Sequence, residues 1–192
     1  MNRDEKVLAR TLFKLKIHEA DGQKFEDIFI AIMNYAKPDF QAIKPWGNIG
    51  DRKNDGYLKS TGIYFQVFAP EEITKSYPKV IEKLNADFSG LIAQWSSVNE
   101  FFFVVNDKYK GINADCEQTI QKIKQDYQLQ NAGFKTAKDL ENLLFSLDED
   151  QIIEIVGFFP DPANIQLDYS ILGEIIKHLT SLPLANPKGS KF

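Results

Sequence analysis

A chain of 192 residues, 43% hydrophobic and 12% aromatic, has apolar material for one sizeable core, or for one domain and part of a second. Its 26% charged residues set disorder aside, and a net charge of −4 excludes a broad basic surface of the kind that grips nucleic acid along its backbone. The single cysteine, Cys116, excludes an internal disulfide and a cysteine-rich zinc site, and its expected role is packing.

The opening MNRDEKVLAR lacks the apolar centre of a signal peptide, and no window approaches the roughly 18 apolar residues of a membrane span. The expectation is a cytoplasmic protein of bacterial type. Residues 4–20 place Val7, Leu8, Leu12 and Leu15, with Phe13, at helical spacing. Asp21-Gly22 breaks the pattern, and a second helix over 24–36 carries Phe25, Ile28, Phe29, Ile32 and Met33 on one stripe until Pro38 stops it. Glu26 flanks that stripe, so it can turn toward a sheet edge.

Residues 40–44 read as a first strand and 45–54 as a loop. A second strand over 55–59 and a third over 63–69 are joined by Ser60, Thr61 and Gly62. The third, IYFQVFA, is apolar enough to be central. A long helix over about 76–97 buries Val80, Ile81, Leu84, Phe88, Leu91, Ile92 and Trp95. EFFFVVN, 100–106, is the most strand-like run, with a turn at 107–111 after it. A helix over 115–126, an edge strand over 128–135, and helices over 137–146 (capped by Thr136) and 148–156 complete the order. That succession predicts an α/β fold, a mixed sheet of about four to five strands flanked by helices. The first domain is expected over 1–157. Residues 158–192 read as a connector, an amphipathic helix over 169–180 and a linker tail, as at the end of an amino-terminal domain of a longer protein.

The chemistry centres on GDRKNDGYLKSTGIYFQVFAP, residues 50–70. Asp55 stands at the start of one strand and Gln66 inside the next, eleven positions on, a spacing that brings both to one sheet edge. A half-buried hairpin with its polar residues in water fits the segment equally well. With Glu26 from the early helix, Asp55 and Gln66 make a hard-oxygen set suited to magnesium, which polarises a phosphodiester and activates water. Other residues have plainer readings. His18 ends a helix beside Glu19 and Asp21, His178 is a polar edge of the last helix, and Asn106, Asp107 and Lys108 form a turn after a buried strand. Trp46 packs over the sheet edge or stacks on a base. Motifs of ATP hydrolysis, dinucleotide binding, zinc proteolysis and serine hydrolysis are missing.

Phe25-Glu26 in QKFEDIF, Gly50-Asp51 with Asp55-Gly56 in GDRKNDGY, and Gln66-Val67-Phe68 in YFQVFAP together resemble the motifs of the PD-(D/E)XK nuclease superfamily, in particular its Mrr-like restriction-endonuclease group. The wording GDRKNDGY…YFQVFAPE is also similar to amino-terminal effector domains of bacterial anti-phage proteins of the ABC-three-component type, related to Lamassu. The resemblance spans roughly residues 20–145. It implies a restriction-endonuclease-like fold and a DNA endonuclease whose Mg2+ or Mn2+ is held by Glu26, Asp55 and Gln66. As partners it implies DNA, ATPase subunits of a defence complex and further copies of the chain. One departure is chemical: the lysine expected two positions after the glutamine is Phe68. Lys59 and Lys53 are the candidates to supply that cation. The alternative is a nuclease-like module without catalysis, kept to bind nucleic acid or to dock the ATPase partner.

Overall fold

Asn2 starts the first helix, α1 (Arg3–Glu19), with a capping box: its side chain accepts from the amides of Asp4 and Glu5, and Glu5 reaches back to the Asn2 amide. The computed structural model describes residues 1–44, 53–157, 173–174 and 177–178. The buried face of α1 is Ala9, Phe13 and Ile17. Val7, Leu8 and Leu15, expected to be inside, are 59%, 39% and 52% exposed. At about 3.6 residues per turn, positions 9, 13 and 17 share one face and 7, 8 and 15 fall across from it. The large Phe13 and Ile17 chains decide which face turns inward.

Helix α2 (Gln23–Ala36) buries Phe25, Phe29, Ile32 and Met33, close to the stripe read from its sequence, and ends before Pro38. Strands β1 (Phe40–Ala42), β2 (Gly56–Leu58) and β3 (Ile63–Phe68) follow. A single 3-10 turn (Ile73–Lys75) then leads to α3 (Tyr77–Gln94). Next come β4 (Glu100–Val105), α4 (Ala114–Asp126), β5 (Asn131–Lys135), α5 (Ala137–Leu144) and α6 (Glu149–Val156). The sheet order is β1-β2-β3-β4-β5, with β1-β2 and β2-β3 antiparallel and β3-β4 and β4-β5 parallel. The expected mixed α/β sheet flanked by helices is present, with β3 in the middle. The parallel pairs are reached by helical crossovers through α3 and α4, as parallel strands require.

Period-2 alternation gives the sheet two different faces. Tyr64, Phe101, Phe103 and Ala132 point into one core with Val80, Leu84, Phe88 and Leu91 of α3 and Cys116 and Ile120 of α4. Phe65 points to the other face, where its ring lies 5.6 Å from Phe29 of α2 and 6.2 Å from Phe40. On that side α2 packs on α5 and α6, and α1 on α6. Full burial of an aromatic ring stabilises by about 1.5–3 kcal/mol, so the phenylalanine-rich strands carry much of the fold.

The chain divides into two compact units, Met1–Phe158 and Phe159–Phe192. In the second, Gly173, Glu174, Lys177 and His178 are helical and exposed. Trp46, the Gly50-Asp51 pair and the rest of the helix expected over 169–180 lie outside the described residues. Among the described residues, no helix is long and apolar enough to cross a membrane.

Candidate functional site

Gly56 opens β2 because nothing larger fits. A Cβ there would come within 2.4 Å of the Phe40 ring and 3.1 Å of the Gln41 carbonyl oxygen. That close approach is to β1; Asp55, just before Gly56, pairs on the other side with β3. The Asp55 amide donates to the Phe65 carbonyl at 2.9 Å, and its carbonyl accepts from Ile43 at 3.0 Å. Its side chain then continues the ladder. Oδ2 accepts from the Val67 amide at 2.5 Å and from Gln66 Nε2 at 2.9 Å. Asp55 is 5% exposed and Gln66 3%.

The pairing has a direct consequence for Gln66. An ionised carboxylate only accepts, so the glutamine must show it Nε2 and turn Oε1 the other way. That Oε1 is buried and has no hydrogen-bond partner. A buried, unpartnered oxygen costs about 1–3 kcal/mol, which makes it an observation in want of a cause. A hard cation is one group that would satisfy it, and for Asp55 to share that cation the Gln66 amide would have to flip and give up its hydrogen bond to Oδ2.

The other sequence candidates distribute unevenly. Glu26 does lie on α2, but its carboxylate is 3.5 Å from Lys44 Nζ, and α2 covers the face of Phe65 rather than the face of Gln66. Lys59 is displaced. It is exposed in the turn after β2, with its amide on the Asp39 carbonyl at 3.3 Å. Four residues of extended chain, about 13 Å, separate it from Asp55. Lys53 is brought in, from a backbone with φ of 65°, and its Nζ reaches Asp87 Oδ1 on α3 at 3.2 Å. Its stem lies across Gly90, where Cγ would be 2.6 Å from any Cβ.

Two residues escaped the sequence reading. Asp87 is 2% exposed, and Lys83, one turn earlier on α3, reaches its Oδ2 at 2.5 Å. The signal was present: Asp87 stands three residues after Leu84 and four before Leu91, inside the stripe that α3 buries. A charged residue in such a stripe needs a partner. Among the described residues, no three His, Cys, Asp or Glu side chains come together as a metal-binding group. The proposed pair is one carboxylate and one amide.

The plain readings of the remaining polar residues are met by definite bonds. Asn106 Nδ2 donates to the carbonyls of Ile17 and Ala20 at 2.9 and 2.7 Å, closing the end of α1. Asp107 accepts from the amides of Ala137 and Gly111 at 2.9 and 2.8 Å. His18 is exposed in the last turn of α1. Comparison with protein-family models, with curated proteins and with solved structures finds no match.

Proposed function

We propose that the first unit is a metal-dependent phosphodiester hydrolase acting on DNA, with Asp55 and Gln66 as the residues that hold Mg2+ or Mn2+. The observation that carries this reading is the Asp55–Gln66 contact, which leaves Gln66 Oε1 buried and without a partner. The ion, when bound, would polarise the phosphodiester and lower the pKa of the attacking water. Asp55 supplies negative charge and, through Val67, ties the site to the central strand. Hydrolysis forms a bond from the water oxygen to phosphorus and breaks the phosphorus–ester bond, and the leaving oxygen takes up a proton. Glu26, the third ligand that the resemblance implies, has its carboxylate 3.5 Å from Lys44 Nζ. The role that fits such an effector is cytoplasmic anti-phage defence beside ATPase partner subunits, with DNA as the target.

The test is degradation of supercoiled plasmid with Mn2+ by the full chain and by Asp55→Asn. Asparagine keeps an acceptor for Val67, and the Gln66 amide can flip, so the fold is retained. Cleavage is expected to fall by about 100-fold or more, the usual scale for removing a group that stabilises transition-state charge. Equal nicking by both proteins overturns the assignment. Mn2+ affinity, read by electron paramagnetic resonance, is expected to fall in the same variant.

A second reading has its own observation. Phe68 stands where the resemblance calls for lysine, and Glu26 is paired elsewhere. A module that binds nucleic acid or docks a partner without hydrolysis accounts for both. Retention of a DNA duplex without cleavage in Mg2+ or Mn2+, unchanged in Asp55→Asn, favours it.

A further inference from the structure

We infer that the groove between α2 and α5 binds a small amphiphilic anion, an apolar body ending in a carboxylate, whose charged end is met by Lys135. The inference goes beyond the hydrolase reading and does not depend on it. Neighbours on a strand point to opposite faces, and Phe65, not Gln66, lines the groove.

The groove is a cavity of about 480 Å³. Its walls include Phe29 and Met33 of α2, Phe65 and Phe102 of the sheet, and Leu140 and Leu143 of α5. The helical layer is incomplete here, because α5 is only eight residues long. Phe102 therefore stays partly exposed in the middle of β4, whereas Phe101 and Phe103 on the other face are fully buried. Phe65 and Phe102 lie 5.8 Å apart with their planes 21° from parallel, and make a flat apolar floor.

Gly133 widens the space beside that floor. It pairs with Phe102 across β4 and β5 and so faces the same way. A Cβ there would meet only the Phe102 ring, at 3.9 Å, and the backbone φ is not positive, so nothing in the fold calls for glycine. Glycine inside a strand costs stability and often marks a place that a ligand or another backbone approaches closely. Here no other protein group makes that approach.

Charge selects the ligand. The charged residues lining the groove are Lys37, Lys135 and Asp139. The Asp139 carboxylate is taken by the cap of α5, accepting from the Thr136 amide and hydroxyl at 2.8 Å each. Lys37 is exposed at the end of α2. Lys135 has no carboxylate partner among the described residues, and its ammonium rests over the Phe102 ring, 4.6 Å from the centroid. A cation lying on an aromatic face beside an apolar cavity is placed to take the anionic end of a ligand whose body covers the rings. A cationic amphiphile would meet two lysines instead.

The experiment is isothermal titration calorimetry of the full chain with decanoate and with 2-naphthoate, which separate a chain from a ring as the apolar body. Decyltrimethylammonium, with the same chain as decanoate and the opposite charge, is the counter-probe. At least one carboxylate is expected to bind ten times more tightly than the cation, or better. Lys135→Met is expected to weaken that carboxylate about tenfold, the usual scale for a hydrogen bond to a charged group, and to leave decanol unaffected. Gly133→Val fits a strand and has room for its Cβ, so it is expected to fold as wild type by circular dichroism and to lose at least tenfold in affinity. Leu143→Trp, which fills the groove from the helix side, is expected to do the same. Lys122→Met, on the exposed face of α4, serves as the neutral control. Wild type that binds neither carboxylate below about 1 mM overturns the inference. So does a cation bound as tightly as the carboxylates, or carboxylate affinity unchanged in folded Gly133→Val and Leu143→Trp. None of these outcomes bears on DNA cleavage, so the groove and the metal site stand or fall separately.

Discussion

Gln66 is caught between two demands: its amide nitrogen is bound to Asp55, and its oxygen is buried with no hydrogen-bond partner. Gln66→Glu separates a metal site from a structural hydrogen bond. Without metal the variant sets two carboxylates side by side, which raises the folded-state pKa of one of them. A carboxyl whose pKa rises on folding binds more protons folded than unfolded, so stability falls as pH rises above the unfolded glutamate value. Gln66→Glu is therefore expected to melt below wild type at pH 7, with the gap narrowing toward pH 4. Mn2+ should raise its melting temperature more than that of wild type. A melting temperature indifferent to Mn2+ in both proteins counts against the site. Elsewhere, burial first and Asp115 second push the Cys116 thiol up to about 11. It is fully buried under α3, so iodoacetamide at pH 8 should label the urea-unfolded chain and leave the folded one unmodified, as read by mass spectrometry. Glu72 shifts the other way. Hydrogen bonds from Lys110 and then Thr74 hold its carboxyl down to about 2. Its contribution is present above the unfolded value and is lost as pH falls from about 4.5 to about 2; Lys110→Met should move its NMR titration midpoint upward.

Among the elements, those with one strong period were legible in the sequence. The runs IYFQVF and EFFFVV are apolar on both faces, which only a strand between two helical layers satisfies, and they became β3 and β4. Thr136 with Asp139 announced the start of α5, and both halves of that capping box form. Helix α1 was harder, because its apolar residues fit two different faces and packing alone selects one. Ile17→Ala is expected to cost about 2–4 kcal/mol by urea denaturation, whereas Leu15→Ala should stay within about 0.5 kcal/mol of wild type. The site was half legible. Asp55 and Gln66 are neighbours in a hairpin, so short-range turn chemistry brings them together. Lys83 and Asp87 lie on a different element, and no local rule joins them to β3. Helix rotation and strand length, which residue spacing leaves open, put Glu26 beside Lys44 and Lys59 at the far end of β2.

For the molecule as a whole, the turn after β4 is where separate elements are joined. Asn106 is fully buried and binds the last carbonyls of α1, while Asp107 accepts the first amide of α5, so two helices far apart in sequence hang from one strand end. The same two helices are linked again by Arg10 and Glu141, the latter 2% exposed. Burial raises the Glu141 pKa, but hydrogen bonds led by that from Lys138 outweigh it and hold the group below its ordinary value. A layer fastened at both ends in this way should unfold with the sheet rather than peel from it. Asn106→Ala leaves two buried carbonyls without a donor and is expected to cost about 2–4 kcal/mol. If α1 and α5 belong to one cooperative unit with β4, the urea transition followed by far-ultraviolet circular dichroism and the one followed by tryptophan fluorescence shift together to lower urea, with an unchanged slope. Transitions that separate, with helix lost before the fluorescence change, would show that the helical layer opens independently of the strands carrying Asp55 and Gln66. The Asp55–Gln66 pair would then keep its geometry even as the far layer frays, and the stability of the fold could be altered from that side without touching that pair.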